Sequence, residues 1–464
     1  MTTSEALLDH LQRDAHDPDR KILLTHATIV TMDPAIGILD RGDLLIQGAT
    51  IRAVAPDLRA QGAAEGAIVI DATGSILCPG LVDTHRHAWQ TQLRRMMPDL
   101  RDLSEYVAVM LARFGPVYTP EDMYIGTKLA ALTAIDGGVT CMLDFSNNAR
   151  SAAHSDSAIQ ALIDTGIRGV HASLGASSGT WDKQWPADLT RLRERYFSST
   201  DQLLTLRLAA VANNPKSPEL TYGPALSRVA RDLDISVSID AVLGASSSEA
   251  ILSWTKAGLL GPHVTLIHAT GQTAEAWRAI ADTGATVALA PTSDAQLGLD
   301  TAIPAIDEAL AVGIRPGLSI DVEVALASDM FTQMRALHTI QRMRAVNAVH
   351  GTAAQPPSRL TARDVLDFAT LQGARTNGLE GVTGSLTLGK QADLLVIRAE
   401  DLNNMPINDP IGTVVLGSDS RNIDAVFIAG QVRKWDGRVI GVDLDSLRRD
   451  VRTSRDRLLS AVAR

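Results

Sequence analysis

Two cysteines, Cys78 and Cys141, are all that 464 residues contain, so no disulfide framework holds this chain together. Basic charge is scarce too. Lys and Arg number 43 against 53 Asp and Glu, giving a formal net charge of −10, which argues against a nucleic-acid or anionic-membrane partner. No run approaches the ~18 consecutive apolar residues of a membrane span. The opening stretch MTTSEALLDHLQRDAHDPDRK has no basic segment followed by an apolar one, so no secretory leader is expected there. Neither a phosphate-cradling glycine loop nor a dinucleotide fingerprint occurs. What remains is ordinary globular chemistry, 45% hydrophobic and 21% charged, with ample material for a large core. A cytoplasmic protein acting on a small molecule, with no nucleic-acid or membrane partner, is the expectation.

The chain divides by texture. Over 21–74, short alternating strands are punctuated by Gly and Asp, as in KILLTHATIVTMD, RGDLLIQGATIRAVA and GAIVIDA. The same texture returns over 383–442 in GSLTLGKQADLLVIRA, AVFIAGQVRKW and GRVIGV. Two β-rich flanks predict one small composite β-sandwich built from both ends of the chain, after an N-terminal extension over 1–20. Between them, over 75–382, eight apolar strand candidates alternate with helical segments: ILCPGLVDTH, GVTCMLDF, GIRGVHASLG, LTLRLAAVA, ISVSIDAVLG, HVTLIHAT, GATVALAP and RPGLSID. Helical patterns such as YIGTKLAALTAIDGG and TAEAWRAIADTG end on glycine stops. Eight βα repeats predict an α/β fold, a (β/α)8 TIM-like barrel with its chemistry at the C-terminal strand ends. Residues 443–464 read as a charged amphipathic helix, a packing element or a contact between copies in a homo-oligomer.

The strand ends carry a metal-ligand pattern. In VDTHRHAWQ, His85 and His87 stand one residue apart, and strand alternation puts both imidazoles on one face. Strand six offers His268 in TLIHAT and strand eight offers Asp321 in GLSID. A lone histidine in an apolar strand is ordinarily a satisfied core residue. Four such residues at matching strand ends are a different matter. Imidazoles with a carboxylate suit zinc, iron or manganese, any of which acidifies water near neutral pH.

With these residues in place, the sequence resembles the amidohydrolase superfamily, in the branch of chlorotriazine hydrolases and of guanine, cytosine and adenosylhomocysteine-type deaminases. PGLVDTHRH matches the strand-one metal motif, GATVALAPTSDAQLG is similar to the strand-seven signature, and GLSIDVEVALASDMFTQMRAL resembles the strand-eight Asp and following helix. LTARDVLDFATLQGARTNGLEG with GSLTLGKQADLLVI is similar to the return into the composite sandwich. The resemblance implies a divalent metal, zinc or iron, one ion or two, held by His85, His87, His268 and Asp321. It also implies that Asp321 takes a proton from water.

One departure bears on the reaction. Deaminase-type members carry on strand five a metal-contacting His, followed three residues later by a proton-shuttling Glu. Here VSIDAVLG places Asp240 and Leu243 at those positions. Other branches use a strand-four lysine to bridge two metals, but LTLRLAAVANN has none, and Lys216 lies in the following loop. Asp240 can replace the missing ligand, bridge a second metal or bond to backbone. Glu323 shares a face with Asp321 if that strand continues, and Asp144 and His171, near two further strand ends, are candidates to reach the pocket. In the loop AWQTQLRRMMPDLRDLSEY, Trp89 and Gln90 are candidate substrate contacts, and Arg94, Arg95 and Arg101 are either anion contacts or a solvated helix face. Three functional readings follow. The leading one is hydrolysis of a C–N or related bond through a hydroxide held by the metal, without standard deamination because the acid/base carboxylate is missing. The second is a nonheme diiron oxygenase like the hydroxylase of platensimycin-type biosynthesis, a member of the same fold. The third is a degenerate binding protein.

Overall fold

A computed structural model describes residues 3–13, 15–299, 301–351 and 353–463. The first half of the N-terminal β region forms β1 (Lys21–Val30), β2 (Ile38–Gln47), β3 (Thr50–Ala55), β4 (Ala67–Asp71) and β5 (Ser75–Pro79). The barrel follows as β6 (Leu81–Arg86), β7 (Val139–Ala149), β8 (Arg168–Gly175), β9 (Leu204–Val211), β10 (Ser236–Asp240), β11 (Val264–Ile267), β12 (Thr286–Leu289) and β13 (Gly317–Leu318). The chain then returns as β14 (Leu394–Arg398), β15 (Ile423–Ile428), β16 (Gln431–Trp435) and β17 (Arg438–Val439). Strands β6 to β13 form one parallel sheet in sequential order, and the remaining nine form a mixed sheet drawn from both ends of the chain.

The sequence ILCPGLVDTH, expected as one barrel strand, is two. Its first half, β5, pairs with β1 and β14 of the mixed sheet, and the barrel begins only at Leu81. Gly80 makes the switch possible: a Cβ there would lie 2.0 Å from Thr140 Oγ1 on β7, so only glycine allows this approach. The two sheets are further joined by a buried bidentate ion pair, Arg168 on β8 to Asp393, at 2.7 and 2.9 Å.

The expected helices form with the expected ends. The helix Pro120–Asp136 starts in a capping box made by Thr119 and Asp122. The helix Ala274–Thr283 stops at Gly284, whose φ of 74° is the left-handed conformation glycine tolerates. The N-terminal helix Thr3–Gln12 covers the mixed sheet, burying Leu11. The C-terminal helix Leu444–Val462 buries Leu458 among Trp89, Tyr106 and Phe114, over the mouth of the barrel. Among the described residues no helix is long and apolar enough to cross a membrane.

Candidate metal centre

Barrel closure assembles the site. Where β6 meets the chain after β13, Asp321 N–H donates to the His85 carbonyl at 2.9 Å, and His87 N–H donates to the Asp321 carbonyl at 3.1 Å. These backbone bonds fix the Asp321 side chain beside both imidazoles: Oδ1 lies 3.1 Å from His85 Nε2 and 3.4 Å from His87 Nε2. His268, just past β11, brings its Nε2 within 3.9 Å of Asp321 Oδ2 and 3.5 Å of Asp240 Oδ1. Two overlapping sets, His85/His87/Asp240 and His85/His268/Asp321, each hold their donor atoms within 4.8 Å of one another. His268 and Asp321 both have left-handed backbone, at φ 65° and 66°. A non-glycine residue there costs about 1–3 kcal/mol, and such strain collects at functional sites.

Three of these side chains, His87, His268 and Asp321, are oriented by hydrogen bonds from behind. Asp294 Oδ1 accepts from His268 Nδ1–H at 2.7 Å, and Asn147 Oδ1 accepts from His87 Nδ1–H at 3.1 Å and from Trp89 Nε1–H at 2.8 Å. With Nδ1 carrying the proton, both rings turn the Nε2 lone pair inward. The Ser293 hydroxyl donates to Asp321 Oδ2, and the Phe145 ring packs edge-on against His85 and His87 at 4.9 and 5.5 Å.

The donor set fits a divalent cation. Asp240 Oδ1 is buried without a hydrogen-bond partner, a costly state for a carboxylate unless a cation meets it. Burial and the neighbouring His85 lower the His87 pKa, favouring the neutral form that ligates. Burial opposes charge on His268, but Asp294, Asp321 and Asp240 outweigh it and raise its pKa to about 9; the surrounding carboxylates thus favour a positive charge at Nε2, which a divalent ion there would supply in place of the second proton. Burial likewise opposes charge on Asp321, and His85, His268 and His87 overcome it, holding the carboxyl well below the usual range. Three imidazoles and two carboxylates suit zinc, iron or manganese alike.

Above the centre lies a cavity of about 380 Å3, with His87 and Asp240 at its base and Tyr106 and Leu111 in its cover. Leu243, at φ 68°, lines its mouth and is half-exposed.

Several expected contacts lie elsewhere. Phe145 faces the imidazoles, so Asp144 beside it points to the opposite face of the sheet. His171 is in register with Asp144 and pairs with it there at 3.2 Å, in line with Arg86, which reaches the Ala130 carbonyl of the outer helix. His171 therefore sits behind the barrel wall, not in the pocket. Glu323 does not share the Asp321 face, because β13 ends at Leu318 and the chain turns left-handed at Asp321. It lies 2.9 Å from Arg94 Nη2 and accepts from Thr91. Arg101 pairs with Glu105. Trp89 and Gln90 are buried in a 3-10 turn, Ala88–Leu93. Trp89 steadies Asn147, and Gln90 donates to Tyr106 Oη at 2.6 Å. Four participants escaped the sequence reading: Asn147, Asp294, Ser293 and Tyr106. Period two from Phe145 points to Asn147, and TSD at the end of strand seven holds both Ser293 and Asp294.

A family profile described as the amidohydrolase family matches residues 76–433. The chain belongs to the amidohydrolase family. Relatives span nearly its whole length. A 5-methylthioadenosine/S-adenosylhomocysteine deaminase of Acetivibrio thermocellus is 26% identical over 453 residues, covering 94% of this chain and 99% of that protein. A 5'-deoxyadenosine deaminase of Methanosarcina mazei is 24% identical over 456 residues, with 95% and 99% covered. Two solved structures share the fold. An adenosine deaminase from Xanthomonas campestris with bound zinc superposes at a TM-score of 0.80, with 22% identity and 96% and 100% covered. Atrazine chlorohydrolase TrzN from Arthrobacter aurescens TC1, complexed with zinc, superposes at 0.77, with 24% identity and 94% and 100% covered. As an amidohydrolase, the protein is a metal-dependent hydrolase.

Proposed function

We propose that this amidohydrolase cleaves a C–N or related bond of a small molecule at a centre held by His85, His87, His268, Asp321 and Asp240, and that it is not an adenosine, guanine or cytosine deaminase. The zinc in the like-folded neighbours favours zinc as the ion. A bound divalent ion supplies Lewis acidity and a charge that favours hydroxide over water near neutral pH.

The chain's own residues do the rest. Asp321, kept ionised by the imidazoles around it, is placed to take a proton from the attacking water, while Ser293 steadies its second oxygen. Asp294 and Asn147 hold the His268 and His87 rings, so the site needs little rearrangement on reaction. Asp240 adds a negative charge that the imidazole of deaminase-type sites does not. Aliphatic side chains above it thin the water around the reacting bond.

The observation that carries the non-deaminase reading is at the mouth. Leu243 occupies the position of the proton-shuttling Glu, and among the described residues lining the cavity none is glutamate. Departing ammonia then lacks its usual acid. Ammonia release from adenosine, guanine and cytosine by the purified metalloprotein is the test. None is expected at ordinary turnover, and brisk release from any of them would overturn this part of the reading. The diiron oxygenase gains nothing from relatives named for deaminases and a chlorohydrolase. A degenerate binding site is a poor match for five converging donors, three of them held by hydrogen-bonding partners.

A further inference from the structure

The cavity has a chemical character of its own. Its walls are aliphatic: Leu103, Val107 and Leu111 come from the covering segment, and Leu174, Leu220 and Leu243 from the barrel rim. Part of the polar lining is already engaged. Asn147 Oδ1 accepts from His87 and Trp89, the Ser178 hydroxyl donates to the Leu111 carbonyl, and Asn214 Oδ1 accepts from the backbone of Lys216 and Ser217.

At the exposed edge stands Lys216, the single lysine or arginine among the described residues that line the cavity. Among the described residues its ammonium group has no hydrogen bond or ion pair, and nearby Glu219 is taken by Lys183 at 2.9 Å. In a chain with 53 acidic and 43 basic residues, an unpaired cation on the rim of an apolar cavity is a feature that selects ligands.

We propose that the substrate is an amphiphile: an apolar ring or chain seated between the aliphatic walls, bearing one carboxylate that meets Lys216 while the bond to be cleaved lies over Asp240 and Asp321. Its reaction rests on the hydrolytic reading above, whereas its binding rests on Lys216 and the walls.

Adamantane-1-carboxylate and adamantane-1-carboxamide share an apolar body and differ in charge, so calorimetric titration of both isolates the Lys216 contribution. The acid is expected to bind the metalloprotein roughly fivefold more tightly than the amide. Lys216→Ala should erase that preference and Lys216→Arg should keep it. Lys216 is exposed, so neither change disturbs the core. The preference should also persist after the ion is removed with a chelator. A preference that survives Lys216→Ala, or that disappears with the ion, would mean the acid is held at the metal centre and would overturn the proposal. So would 5'-methylthioadenosine binding more tightly than the acid. The expected preference in a protein that takes up no divalent ion would sink the hydrolytic reading and leave the substrate class standing. A metal-replete protein without the preference would do the reverse.

Discussion

His268 shows how much of this site depends on single side chains. Its Nε2 faces both Asp240 and Asp321, and its Nδ1 is held by Asp294 at 2.7 Å. Partners of this kind, one step behind a ligand, are typically worth about 10–100-fold in metal affinity. Asp294→Ala should therefore weaken metal binding by about that factor in competition with a chelator, with the fold intact by circular dichroism. Unchanged affinity would make Asp294 a packing residue. Asp240→His offers a complementary test: it keeps a ligand and removes a negative charge, yet deamination should stay absent because Leu243 is unchanged. Ammonia release from adenosine by that variant would show that the missing His, not the missing Glu, was the obstacle.

Elements are set by contacts that local pattern does not contain. Gly80→Ala brings a methyl group to 2.0 Å from Thr140 Oγ1 and should destabilise the protein by about 1–3 kcal/mol or more, read from the urea midpoint. Asp393→Ala strands the buried Arg168 guanidinium, whose pKa Asp393 raises against the opposing effect of burial, at a cost of about 3–5 kcal/mol. Asp393→Leu combined with Arg168→Met should cost clearly less, since no buried charge remains; equal losses would mean the pair's charges are not what matters. Strand alternation and glycine stops made the barrel, the two helices and His85 with His87 readable from sequence. Gly80 was not readable as a break, because its partner Thr140 is 60 positions along the chain. Glu323 was misplaced for a conformational reason: alternation assumes extended backbone, and Asp321 is left-handed. His171 was misplaced by counting strand ends without the register, which pairs it with Asp144 on the outer face. Trp89 and Gln90 looked like loop contacts since nothing local shows that a distant helix covers them.

That distant helix ties the whole molecule together. From Leu444–Val462, Ser454 donates to Asp122 Oδ1 at 2.7 Å and accepts from Gln92 at 3.3 Å, and Arg457 pairs with Asp122 and donates to the Val117 carbonyl. This helix thus braces the segment that follows the metal motif and covers the cavity. Arg457→Met should raise amide exchange over residues 103–118 while leaving β6 to β9 protected; uniform exchange changes would indicate global loss of stability instead. All these levels meet at one point, where β6, β10, β11 and the chain after β13 bring three imidazoles and two carboxylates together. Elemental analysis of wild type and Asp240→Ala, each loaded and desalted in parallel, addresses that point directly. At least one divalent ion per chain is expected in wild type and a clearly lower content in Asp240→Ala; wild type that retains no ion, or a variant that retains as much as wild type, would contradict a five-donor metal centre.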